Sequence, residues 1–130
     1  MRVYVAGKMR GIPHFNFPAF DHAAGVLREL GHECFNPADN DRAVGFDGIG
    51  WSGSESLEER AFDLRNAMAT DLTWIARYAD AVCVLPGWEG SLGARAEVAL
   101  AHALNLPVAP LEAFTSERIV PGTQIVPDSF

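Results

Sequence analysis

The sequence predicts an α/β fold: a single-domain three-layer sandwich in which helices cover both faces of a mostly parallel, flavodoxin/Rossmann-like sheet of four to five strands. Three observations carry this expectation. Short apolar runs of strand type alternate with longer segments of helical periodicity, glycine or proline marks most junctions, and 130 residues are enough for one core. Alternating strands and helices imply right-handed βαβ crossovers, and these open a ligand crevice at the carboxyl ends of the strands.

Arg2 to Ala6 is a β-branched and aromatic run halted by Gly7, which predicts a buried first strand and a tight turn. Pro18 suits the first turn of a helix, and Phe20, Ala23, Ala24, Leu27 and Leu30 recur at helical spacing up to Gly31. His32 to Asn36, ended by Pro37, predicts a second strand. Ala38 to Glu55 is rich in Gly, Asp, Asn and Ser and predicts a long loop, a lid or a substrate-shaping segment. One helix is then expected from Ser56 towards Tyr78, with Leu57, Ala61, Leu64, Met68, Leu72 and Ile75 on one stripe. Ala81 to Leu85 is the third strand, Ser91 caps an alanine-rich helix reaching Leu104, and Pro107 to Ala109 is the fourth strand. Residues 115–130 carry no regular signal and are expected to form an irregular tail of one domain spanning 1–130.

Composition narrows the function. A net charge of -7 and a pI near 4.9 argue against polymeric nucleic acid and anionic membrane surfaces, both of which need a basic patch. A small anion stays possible, because a few backbone N–H groups and one arginine can hold a phosphate locally. Cys34 and Cys83 sit in or beside apolar runs and read as reduced core thiols, which points to the cytoplasm. The chain shows no secretory leader and no run of the roughly 20 apolar residues that span a bilayer. His14, His22, His32 and His102 lack metal-site spacing. Asp39, Asp41 and Asp47 fail as a calcium loop at Ala43 and read as a solvated loop, so neither metal nor cofactor is expected.

Three places depart from plain structure. Glu97 shares a helical face with Gly93, Ala94, Leu100 and Ala101, while Arg95 lies about 200° away, so a carboxylate is turned towards core-type residues. A buried acid must be paired, protonated or used; the competing reading is a satisfied structural or surface glutamate. Asp71 borders the buried stripe between Met68 and Ile75, and it can converge with Glu97 because both helices adjoin the third strand. Two carboxylates in different environments can divide nucleophilic and proton-handling roles. The turn Gly7-Lys8-Met9-Arg10-Gly11, with Gly90-Ser91 and Gly93 at the start of the later helix, reads as a phosphate cradle, set against the ordinary use of glycine turns as punctuation. Phe15 and Trp88 are candidate base-stacking residues, set against the ordinary alternative of packing.

At these residues the sequence resembles the nucleoside 2-deoxyribosyltransferase-like superfamily, most closely its nucleoside 5'-monophosphate N-glycosidase branch. It also resembles a related phage and prophage domain family of unknown function. The likeness spans Met1 to Pro110 and rests on the opening strand and turn from Val3 to Gly11, on Asp71 nine residues before Asp80, and on Ser91-Leu-Gly followed after three residues by Glu97. It implies that Glu97 is the nucleophile, Asp71 its partner, and Gly7, Lys8, Arg10, Gly11, Ser91 and Gly93 the phosphate site. A serine at position 91, rather than an acid, favours a phosphorylated ligand at a helix N-terminus. The chain departs from the pattern at Lys8, where a smaller residue is usual. The resemblance implies hydrolysis of the N-glycosidic bond of a (deoxy)ribonucleoside 5'-monophosphate, with base exchange or non-catalytic nucleotide binding as alternatives, and a homodimer or higher homo-oligomer.

Overall fold

The computed structural model describes residues 1–116, so 117–130 of the expected tail lie outside the described residues. Strands β1 (Arg2–Ala6), β2 (Glu33–Phe35), β3 (Ala81–Val84) and β4 (Val108–Pro110) form one sheet in the order β2-β1-β3-β4. All three pairings are parallel: Val3 lies opposite both Cys34 and Ala81, and Cys83 lies opposite Ala109. The α/β prediction of a mostly parallel sheet is met with four strands.

Period-two alternation along β1 builds the two cores. Val3 and Val5 join Phe20, Ala23 and Leu27 of helix α1 (Phe17–Glu29) on one face, where Phe114 of helix α6 (Leu111–Thr115) also packs. Tyr4 and Ala6 point to the opposite face, against Ile75 of helix α4 (Leu64–Tyr78) and Ala94, Val98 and Ala101 of helix α5 (Leu92–Ala103). These two helical layers complete the sandwich. Short β-branched strands buried on both sides are what a parallel sheet demands.

Two expectations change. The predicted loop from Ala38 begins with helix α2 (Pro37–Ala43). Asn36 caps it by accepting from the Ala38 N–H at 3.0 Å, and Pro37 sits in its first turn. The single helix from Ser56 is two: α3 (Leu57–Arg60) and α4. Ser56 and Glu59 form a reciprocal capping box for α3, Ala61 turns left-handed at φ 52°, and Asp63 recaps α4 through the Asn66 N–H at 3.0 Å. The stripe therefore fails at its N-terminal end, where Leu64 is 48% exposed.

Between α2 and α3 the chain is pinned rather than free. Phe46 packs edge-on against Phe15, Phe17 and Phe62. The Trp51 carbonyl accepts from the His14 N–H at 2.8 Å, and the Gly53 carbonyl accepts from the Gly11 N–H at 2.8 Å. Those anchors hold a left-handed run, His14, Phe15 and Asn16, with φ from 50° to 60°, a conformation costing about 1–2 kcal/mol per residue. The segment lies against the turn after β1 and shapes what opens there.

Gly53 makes this docking possible. A Cβ there would fall 2.1 Å from the Ile12 carbonyl oxygen at a φ of +99°. Gly53→Ala is therefore expected to lower stability by about 2 kcal/mol or more. Denaturant unfolding with an unchanged midpoint would overturn this account of the docking.

Candidate functional site

In the order β2-β1-β3-β4 the chain leaves β1 first towards one edge and later towards the other, so β1 and β3 flank the topological switch point. A crevice opens beyond the carboxyl ends of such a strand pair. Here it is a cavity of about 640 Å³, within the roughly 300–1,000 Å³ range of small-molecule sites.

Its floor is a buried cluster of three groups. Tyr4 of β1 is fully buried, with its ring stacked on Phe35 at 5.4 Å, and its hydroxyl donates to Glu97 Oε2 at 2.5 Å. Glu97 is 5% exposed; Ala94 and Ala101 on the same face of α5 let that helix lie close to the sheet. Asp71, 7% exposed, comes from α4, and its Oδ1 has no hydrogen-bond partner among the described residues. The expected convergence of the two acids is thus seen, and both line the cavity.

Burial pushes the Glu97 carboxyl well above its ordinary range; the Tyr4 hydrogen bond opposes the rise and the neighbouring Asp71 adds to it. Burial likewise raises Asp71, with the neighbouring Tyr4 and Glu97 side chains opposing the rise. The Tyr4 phenol is held far above its usual value, first by burial and then by the two carboxylates. The acids titrate as a pair that retains a proton near neutral pH.

The rim is cationic. Gly7, Lys8, Arg10 and Gly11 line one side, with Ser91 and Gly93 at the start of α5. Lys8 reaches across to Gly90, its Nζ 3.6 Å from where a Cβ would stand. Ser91 Oγ caps α5 by accepting from the Ala94 N–H at 3.1 Å, so the hydroxyl serves the helix as well as facing the cavity. Gly7 has a packing reason of its own: a Cβ would meet Leu85 Cδ1 at 2.7 Å.

Two candidates lie elsewhere. Phe15 is fully buried beneath Phe46, and Trp88 packs into the core on the α4–α5 face, so neither is among the cavity-lining residues. Phe46 and Phe62 line it instead. Asp41, read as part of a solvated loop, is 4% exposed on α2 and lines the cavity, as does Arg60 of α3 at 8%. Tyr4 was legible in part: a tyrosine in a wholly buried strand needs a partner for its hydroxyl. Asp41 gives no signal because its helix reads as loop, and Arg60 lies inside the helix expected from Ser56 without marking a site.

Among the described residues, no group of three or more His, Cys, Asp or Glu side chains could hold a metal ion, and no helix is long and apolar enough to cross a membrane. Cys34 and Cys83 are free thiols.

The fold and site define an α/β domain with a buried acid cluster at the switch point of its sheet. The chain belongs to the domain family of unknown function DUF4406, whose family model matches residues 1–110. No curated protein and no solved structure matches it.

Burial raises the Asp41 carboxyl to about 7, with Asp71 adding to the rise and Arg60 and Arg42 opposing it. A folded-state value raised from 3.8 makes a stabilising contribution that is complete below 3.8 and lost as pH rises through about 7. Asp41→Asn should therefore gain stability relative to the parent across that window, reaching a few kcal/mol, on the order of the shift itself. Thermal melts at about pH 4 and pH 8 check this; a difference independent of pH would contradict it.

Proposed function

We propose that the protein hydrolyses the N-glycosidic bond of a (deoxy)ribonucleoside 5'-monophosphate. The observation that carries this reading is the Tyr4–Glu97–Asp71 cluster beneath a cavity whose rim bears Lys8, Arg10 and the N-terminus of α5. The polarity fits a substrate with one dianionic end and one electrophilic carbon: the phosphate sits at the rim and C1' points to the floor.

In the proposed reaction the Glu97 carboxylate attacks C1', the C1'–N bond breaks, and its electron pair leaves with the base. Asp71 supplies the proton that the base nitrogen takes up. Water then attacks C1' of the glycosyl ester, Asp71 recovers a proton from it, and Glu97 leaves as carboxylate. The Tyr4 hydroxyl favours the ionised form of Glu97, while the shared proton of the acid pair provides the one that the base needs. Free thiols at Cys34 and Cys83 fit a reducing cytoplasm.

Incubation with a panel of common and modified nucleoside 5'-monophosphates, followed by chromatography for free base, tests reaction and substrate together. Glu97→Gln should lower base release by about a thousandfold or more; undiminished release would refute the mechanism. Adding a second free base separates hydrolysis from base exchange, because exchange yields a new nucleotide.

Tyr4→Phe removes the hydrogen bond that lowers the Glu97 value, so less carboxylate is available at a given pH. The acidic limb of the kcat/KM profile should move to higher pH with a rate loss of about tenfold or more. An unmoved limb would show that the hydroxyl does not govern Glu97.

A further inference from the structure

Two polar side chains in the cavity have no part in that chemistry. Arg60 Nε donates to the Ser56 carbonyl at 3.2 Å, but its Nη2 is buried without a partner among the described residues. The guanidinium is caged by rings, its carbon 4.5 Å from the Phe15 centroid, 5.2 Å from Phe62 and 5.7 Å from Phe46. Asp41, also buried, is raised by burial and by Asp71 against the charges of Arg60 and Arg42, and its carboxyl has no hydrogen-bond partner among the described residues. Its neighbour Arg42 is committed to Asp21, Asp39 and Asp47.

Asp41 and Arg60 feel each other's charge, yet no ion pair joins them. A buried acid and a buried guanidinium close enough to interact would ordinarily meet, because each left alone is costly. Arg60 is instead held among the rings of Phe15, Phe46 and Phe62, and Asp41 is carried on α2. Both line the cavity together with Phe46 and Phe62, flat apolar surfaces suited to a heterocycle. The charges acting on Arg60 are those of Arg10, Asp41 and Glu55, so cation and acid are both represented. A second phosphate would face Asp41 and the Asp71–Glu97 pair behind it, whereas a neutral group with one acceptor and one donor satisfies both side chains.

We propose that Asp41 and Arg60 read the edge of the departing base, accepting its ring N–H on Asp41 and donating to its carbonyl from Arg60. The pair selects bases with a lactam edge, such as 6-oxopurines and pyrimidine diones, over those without one. This assignment rests on the nucleotide reading above and deepens it by naming the substrate class.

The test separates the two. In a Glu97→Gln background, where turnover is suppressed, calorimetry measures binding of inosine, guanosine and uridine 5'-monophosphates and their deoxy forms, against purine riboside 5'-monophosphate, which lacks the edge groups. The lactam nucleotides should bind at least about tenfold tighter. Asp41→Leu, which removes the acceptor that an asparagine would keep, and, separately, Arg60→Gln should each erase most of that preference while leaving the purine riboside nucleotide within about twofold. Thermal melts confirm folding, and Asp41→Leu carries the test alone if Arg60→Gln does not fold. Nucleotide binding with no lactam preference, or with a preference that Asp41→Leu leaves intact, overturns the edge-reading pair alone. Failure of every nucleotide to bind overturns it together with the function proposed above.

Discussion

The hydrogen bond from the Tyr4 hydroxyl to Glu97 joins the central strand to the helix after β3, and much of the molecule is arranged around the cost of burying it. A carboxyl without such a donor would be left uncompensated in a water-poor wall. A bond to a charged group contributes about 1.5–3 kcal/mol, too little to offset full desolvation, and the raised Glu97 value reports the shortfall. Asp71 adds a second acid whose Oδ1 stays unpaired. Stability alone would favour apolar residues at positions 71 and 97. The floor is therefore a local destabilisation held in place by the rest of the sandwich.

That support comes from both faces of the sheet. Tyr4 is fixed by Phe35 and Trp74 on its own side, while Val3 and Val5 bind β1 to α1 on the other. The second support is the 44–56 segment, which brings Phe46, Gly53 and Ser54 to the cavity. Its docking maintains three successive left-handed residues, including Phe15 at φ 50°. A bulky residue there is strained, and the strain sets the Phe15 ring beneath the Arg60 guanidinium. A residue that does not line the cavity thereby orients one that does.

How far the sequence revealed this depended on the range of the interactions involved. The sheet was legible because buried strands and amphipathic helices are local patterns, and β1, α1 and α5 fall close to their expected limits. Glu97 was legible for the same reason: one helix turn shows an acid among alanines. Asp71 required two helices to converge, which the βαβ order supplied. Asp41 was hidden because Asn36-Pro37 reads equally well as the end of a strand and as the cap of a helix, and the choice decides whether the aspartates are solvated or inward. Phe46 lines the cavity where Phe15 was expected to, because four phenylalanines and one tryptophan meet there from distant positions, and no local spacing encodes which ring ends nearest the cavity.

An acidic chain with a cationic cavity rim also raises the question of how an anion would enter. At physiological salt the screening length is about 8 Å, so most of the net charge of -7 is felt weakly at the mouth. Lys8, Arg10 and the α5 N-terminus act at contact distance, where screening has little effect. The acids of the floor, by contrast, share a proton. Under the nucleotide reading this separation of charge sets orientation: a phosphate driven deeper would meet carboxylates, and a base left at the rim would forfeit the rings of Phe46 and Phe62. The same acids that weaken the fold thus make the reverse orientation unfavourable, which ties their energetic cost to the direction in which a substrate can lie.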